Sequence, residues 1–296
     1  MRLGVFILPE HPWPAASETW KRAEDLGFHH AWTYDHLSWR SLRDAPWYDS
    51  MTTLTAAACV THRMGLGVLV VSPDFRHPVT TAKEVMSLDG VSNGRFILGM
   101  GAGAGGPDST VLGRPEPTRA VRTSRFEEFV ELSDRLLRGP RTTWRGQHYE
   151  AQDARMIPGC VQRPRVPFAI AASGPRGMRL VARHAEFWVT IGRPTPGEHF
   201  EAGQLKALRE QVIAMEDSCW KTGRDPGQIR RLVHLSRIAD APYASQERFA
   251  DLLGKCTELG FTDAVVGYPR VDGVFAGDLD RFESIVGGHA RADYGE

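Results

Sequence analysis

The 296-residue chain is poor in cysteine, carries no excess of either charge and lacks any long apolar run. Its four cysteines (Cys59, Cys160, Cys219, Cys256) are scattered without paired spacing. That excludes a disulfide framework and a zinc site of paired cysteines, and predicts a reduced, cytoplasmic protein with no metal. Lysine plus arginine and aspartate plus glutamate balance at 36 each, with no basic cluster. Such a balance argues against nucleic acid or a membrane surface as partner. No stretch approaches the roughly 20 apolar residues of a membrane span. The opening MRLGVFILPEHPWP meets proline too soon for a secretory signal.

What the chain does have is alternation. Short apolar, β-branched runs at residues 3–8, 30–34, 66–71, 96–100, 168–172, 187–191, 232–238 and 263–267 predict strands. Helical spacing fills 17–26, 51–62, 81–89, 122–137, 177–184, 203–221, 246–258 and 278–286. Near-continuous apolar strands suit a parallel sheet buried on both faces. Eight strand–helix pairs predict a closed (β/α)8 TIM barrel, an α/β fold that typically needs roughly 250 residues, rather than an open doubly wound sheet. No linker divides the chain, so one domain over 1–296 is expected, with a small excursion in the irregular segment 139–167. LGFHHAW and LGFTDAV repeat one helix-to-strand joint, with a glycine to end the helix and a phenylalanine to begin the strand.

The loops that follow the strands are long and rich in Gly, Pro, Trp and Arg, whereas those that precede them are short. In a barrel that asymmetry places the chemistry at the C-terminal rim. The second strand ends there in TYDHLSW, which brings Asp35, His36 and Trp39 to the mouth. His36 is the candidate proton donor or acceptor, and Asp35 the group that orients and anchors the turn. Trp39, with Trp47 and Tyr48, either walls a flat ligand or packs the loop on the barrel. The fourth strand runs into GMGAGAGG, where Gly101, Ala102 and Gly103 let backbone approach a ligand closely. Its spacing lacks the open-sheet unit and ribose acid of a dinucleotide site, so no nicotinamide cofactor is expected. Ser173, Gly174 and Pro175 should open a helix whose free N–H groups suit an anion, unless Ser173 merely caps it. Thr190, Ile191, Gly192 and Arg193 follow the sixth strand and offer a hydroxyl, a glycine N–H and a cation, the combination a flavin-like phosphate needs.

The stretches YDHLSW, RHPVTTAKEVMSLDGVSNGRFILGMGAG and PRVPFAIAASGPRGMRLVARHAEFWVT resemble the luciferase-like flavin- and deazaflavin-dependent oxidoreductases. SLDGVSNGR within them reads as scaffold, with Asp89 and Arg95 bracing the turn. The resemblance implies FMN or coenzyme F420 at the C-terminal mouth and a bulged third strand, often with a non-prolyl cis peptide, matched best within Leu69-Val70. It further implies that Gly101–Gly103 line the ring or its side chain. Ser173, Gly174 and Pro175, with Thr190 to Arg193, would hold the ribityl-phosphate arm, and His36 would stand near the reactive edge. Asp-His-Leu-x-Trp and Ala-Ser-Gly-Pro favour the F420 branch, and hydride transfer to or from a small organic substrate. The alternatives are an FMN-dependent monooxygenase fed by a flavin reductase, and a barrel that binds flavin without catalysis. Sugar-phosphate dehydrogenases of the F420 branch carry an acid after the Gly-x-Gly loop. This chain has Ala104 there, which speaks against that activity. A homodimer is implied by the resemblance, and Val274 and Phe275 point to an apolar pocket.

Overall fold

The computed structural model describes residues 1–193 and 200–293, without the side chains of 200 and 291–293. In chain order the described residues form β1 (Arg2–Phe6), α1 (Trp13–Asp25), β2 (His30–Thr33), α2 (Ser50–Val60), β3 (Gly65–Val68), α3 (Pro78–Val91) and β4 (Phe96–Met100). Next come α4 (Pro107–Thr110), α5 (Arg119–Arg138), β5 (Arg141–Arg145), β6 (Glu150–Arg155), β7 (Phe168–Ala171), α6 (Pro175–His184) and β8 (Phe187–Thr190). The chain continues through α7 (Phe200–Lys221), β9 (Arg230–His234), α8 (Leu235–Ile238), α9 (Gln246–Glu258), β10 (Asp263–Gly267) and α10 (Leu279–Asp293). Eight parallel strands close in the order β1-β10-β9-β8-β7-β4-β3-β2, so the fold is the expected (β/α)8 barrel.

Element ends shift by a few residues throughout, and two further differences from the sequence reading stand out. The run at 232–238 is strand only to His234, and Leu235–Ile238 turns into α8. The excursion at 139–167 contains the antiparallel pair β5–β6. Asp89 ties that excursion to the barrel, accepting from the N–H groups of Val161 (2.6 Å) and Gln162 (3.1 Å). Arg95 donates to the carbonyls of Ala58 (3.0 Å) and Thr61 (2.9 Å), satisfying the C-terminal end of α2. Both residues are scaffold.

The two LGF joints are the same device. Gly27 and Gly260 sit at φ +86° and +84°, a left-handed conformation that costs glycine little. Phe28 N donates to Ala23 O and Phe261 N to Cys256 O, the six-to-one bond of a Schellman cap. Phe28 and Phe261 are thereby buried at the entrance to β2 and β10.

Apolar residues alternate between two cores. Leu3, Val5, Leu66, Leu98, Ile170, Trp188 and Val233 pack outward against the helices. Phe6, Trp32, Ile97, Phe187, Leu232 and Val265 fill the barrel interior. Space for the rings comes from glycine: a Cβ at Gly67 would lie 2.2 Å from Trp32, and one at Gly4 only 1.9 Å from His30. At the N-terminal end the interior is closed by polar groups. Trp32 Nε1 donates to His30 Nδ1 at 2.7 Å, so His30 carries its proton on Nε2 and donates to Asp263 at 3.1 Å. Burial keeps His30 neutral, its pKa below the ordinary histidine value. Burial alone would raise the Asp263 carboxyl, but hydrogen bonds from His30 and Arg230 hold it well below the carboxylate range.

The third strand is irregular where the resemblance places a bulge. β3 pairs Leu66 with Phe96 and Gly67 with Ile97, then Val71 with Met100, so β3 carries one residue more than β4. The Leu69–Val70 peptide lies within that bulge and is cis.

Candidate active site

A cleft of about 570 Å³ opens at the C-terminal ends of the barrel strands. Of the residues singled out in the sequence, Asp35, His36, Trp39, Leu69, Val70, Gly101, Ala102, Gly103, Ser173, Thr190, Ile191, Gly192 and Arg193 all line it. Gly174 and Pro175 do not, because Gly174 is the N-cap of α6 and the chain turns out of the cleft there. The loop beyond Arg193, TPGEH within GRPTPGEHF, falls mostly on residues 194–199, outside the described residues.

His36 is held by a residue the sequence reading missed. Its Nδ1 is hydrogen-bonded to Asp108 Oδ2, and Asp108 Oδ1 accepts from the N–H groups of Leu37 (2.9 Å) and Ser38 (3.4 Å). One carboxylate thus fixes both the imidazole and the turn beneath it. With Nδ1 occupied, Nε2 is the ring nitrogen left for a ligand. Asp108 sits on α4, 72 residues from His36 in sequence, and no local pattern announces the pairing.

Asp35 is an anchor. Its carboxylate accepts from Arg76 Nε (3.1 Å) and Nη2 (2.6 Å) and from Ser50 Oγ (2.5 Å). The three groups take up both oxygens of a buried acid and leave it nothing to donate. Trp39 is buried in an aromatic stack, 5.7 Å from Trp47 and 6.0 Å from Phe275 between ring centroids, and it also lines the cleft. Trp39 thus packs the loop and lines the cleft at once. Arg40 and Phe275, on either side of the stack, have φ of +41° and +62°, a conformation that costs a non-glycine residue of order 1–3 kcal/mol. Arg270 secures the second of these segments, donating to Glu10 Oε1 (2.7 Å) and to Val274 O (3.1 Å).

The glycine loop is built around an acid. Gly103 is at φ +77°, and a Cβ there would lie 2.1 Å from Asp74 Oδ2. Asp74 is in turn bound by Arg125 Nη2 at 3.1 Å. Burial nevertheless leaves its pKa above the ordinary aspartate value. On the opposite wall Ser173 makes no cap, since α6 has no side-chain cap bond, and its exposed hydroxyl remains available. The Thr190 hydroxyl is committed: it donates to Gln211 Oε1 at 2.5 Å and accepts from Gly192 N at 3.0 Å. The expected offer of hydroxyl and glycine N–H by this loop is thus corrected to Arg193 alone.

Tyr34, His234, Asp74, Asp108, Arg40 and Arg237 also line the cleft and were not picked out from the sequence. Tyr34 Oη and His234 Nε2 are 2.7 Å apart. Burial, with the Arg237 charge adding to it, pushes His234 down to about 3, so this imidazole is neutral. Burial likewise raises the Tyr34 phenol. The charges of the cleft are unevenly matched. Asp35, Asp74 and Asp108 each have a partner in Arg76, Arg125 or His36. Arg40, Arg193 and Arg237 have no acidic partner among the described residues. A ring-sized cleft with a close-approach glycine loop, a free hydroxyl and unpaired cations fits an anionic, flavin-like group.

Fold and cleft together define a (β/α)8 barrel protein with an open cleft at the strand C-termini, where barrels of this kind carry their sites. The chain belongs to the luciferase-like monooxygenase family, whose model matches residues 1–269. It is 36% identical to an F420-dependent glucose-6-phosphate dehydrogenase of Beutenbergia cavernae, over 84% of this chain and 86% of that one. It is 29% identical to the enzyme of that name from Microbacterium testaceum, over 72% of this chain but only 60% of that protein's length. An F420-dependent secondary alcohol dehydrogenase shares the fold, with a TM-score of 0.78 and 17% identity, covering 96% of this chain and 97% of that one.

Proposed function

We propose that the protein is an F420-dependent oxidoreductase acting on a small organic substrate, with His36 as the group that takes or gives the substrate proton. The observation that carries this reading is the His36–Asp108 pair in the wall of a cationic, glycine-lined cleft. Leu69, Val70 and Gly101 to Gly103 would hold the ring of the cofactor, and Ser173 and Arg193 its anionic arm. When bound, the deazaflavin supplies hydride transfer. The protein's own part is to orient and to move a proton. Asp108 keeps the imidazole in one tautomer and orientation, and Nε2 faces the substrate hydroxyl or carbonyl. Trp39 and Tyr34 exclude water from one side of the cleft. Relatives named as F420-dependent dehydrogenases support the cofactor assignment. Ala104 puts no carboxylate directly after the Gly-x-Gly loop, so glucose 6-phosphate is not the proposed substrate. A homodimer in the cytoplasm belongs to the same reading.

Activity is tested by single-turnover oxidation or reduction of F420 with a panel of alcohols and carbonyl compounds, with oxygen uptake recorded in parallel. His36→Ala should slow turnover roughly 100-fold or more while F420 affinity stays within a few fold. Unchanged turnover would remove His36 from the chemistry. FMN binding with oxygen uptake would replace this reading by a monooxygenase.

A further inference from the structure

Resting on the reading above, we propose that Arg237, beside Tyr34, forms a carboxylate-binding subsite, so that the substrate is an organic monoanion with a compact apolar body. The cleft residues fall on two contiguous arcs of the barrel. Leu69, Gly101, Ser173 and Arg193 follow β3, β4, β7 and β8, and they account for a ring and its arm. Arg237, His234, Tyr34 and His36 belong to the remaining arc, from β9 through β10 and β1 to β2. That second arc has a proton-transfer group and the exposed Arg40 at one end and the half-buried Arg237 at the other.

Arg237 is half-buried and has no acidic partner among the described residues. Its guanidinium carbon stands 5.7 Å from the centre of the Phe275 ring. A partly desolvated cation without a counter-charge is a cost that a bound anion removes. Next to it, His234 is 3% exposed and lines the cleft, with its Nε2 held by the Tyr34 hydroxyl. Tyr34 bridges the two ends: its hydroxyl meets His234, and its ring lies 6.3 Å from that of His36. The walls between them are Tyr34 and Trp39, which suit a flat or compact apolar body. The guanidinium fork matches the two oxygens of a carboxylate. Of the two unpaired cations on this arc Arg40 is exposed and only Arg237 is half-buried, so the desolvated part of the subsite balances one negative charge and not the two of a phosphate ester.

Calorimetric titration of the F420-loaded protein with benzoate, benzamide and phenyl phosphate tests the subsite. Benzoate should bind at least about tenfold more tightly than benzamide and more tightly than phenyl phosphate. Arg237→Met should reduce benzoate to the benzamide level, and Arg237→Lys should keep part of the preference. F420 affinity should stay within about twofold in Arg237→Met, whereas Arg193→Met should show the opposite pattern. Benzoate no tighter than benzamide, or benzoate binding unchanged in Arg237→Met, overturns the subsite. Loss of F420 affinity in Arg237→Met assigns that arginine to the cofactor arm, and tighter phenyl phosphate overturns the carboxylate. Should the wild-type protein fail to bind F420, the oxidoreductase reading falls. The same titrations on the unloaded protein then still decide the subsite.

Discussion

His36 has one ring nitrogen in use and one free, and that division rests on a single carboxylate. Asp108 also ties down the N–H groups of Leu37 and Ser38, so its loss affects the turn as well as the ring. Asp108→Asn should lower turnover roughly tenfold or more with little change in F420 affinity. It should also abolish the downfield proton resonance of the His36 Nδ1–H in NMR. An intact resonance, or turnover at the wild-type level, would show that the carboxylate does not position the imidazole. The candidate status of His36 was legible because the residue type and its place after a strand are local facts. Asp108 was not, since its partner lies far away in sequence and its loop of glycines and prolines has no periodicity to read. Thr190 shows the converse: a hydroxyl at the right place in the chain is consumed by Gln211 on α7. Sequence does not reveal which hydroxyls a fold has already used.

At the scale of elements, the joints carried more information than the strands. Both LGF joints form the caps their residues require, because a glycine after a helical leucine has one economical conformation. Gly27→Ala should therefore destabilise the protein by about 1 kcal/mol or more, read as a lower midpoint in urea without a change of slope. An unaltered midpoint would mean that this joint relaxes freely. The run LVHLSRI misled for a physical reason. Its apolar residues continue the strand pattern, but the chain turns helical at Leu235. That turn leaves His234 at the strand end and Arg237 in the lining of the mouth. An apolar run cannot by itself distinguish a longer strand from a strand followed by one helical turn. The hairpin β5–β6 was expected only as an irregular excursion, since its polar strands have one solvated face.

The whole molecule contains neutral histidines in its barrel interior, His30 toward the N-terminal end and His234 at the mouth. Their folded pKa values lie below the ordinary value of about 6.5, with His234 down to about 3. The sign follows: above pH about 6.5 both are neutral in the folded and unfolded states, and they do not make stability depend on pH. As pH falls below that value the unfolded chain takes up protons that the folded barrel refuses. Stability then drops by up to about 1.4 kcal/mol per pH unit for each such group. Asp263 acts further down, because its stabilisation is present above the ordinary carboxylate value and is lost as pH falls through the lower folded value. Unfolding midpoints should thus decline from pH about 6.5 downward, and His234→Gln should make that decline shallower. A midpoint that is flat between pH 6.5 and 4 would contradict the buried neutral imidazoles.

The central claim is that the barrel mouth holds a deazaflavin ring beside His36, and a crystal structure of the protein grown with F420 tests it most directly. The account predicts the ring against Leu69, Val70 and the Gly101–Gly103 loop, with its anionic arm toward Ser173 and Arg193 and its reactive edge facing His36. Density for the ring elsewhere on the barrel, or at the mouth with His36 turned away from it, would contradict the account.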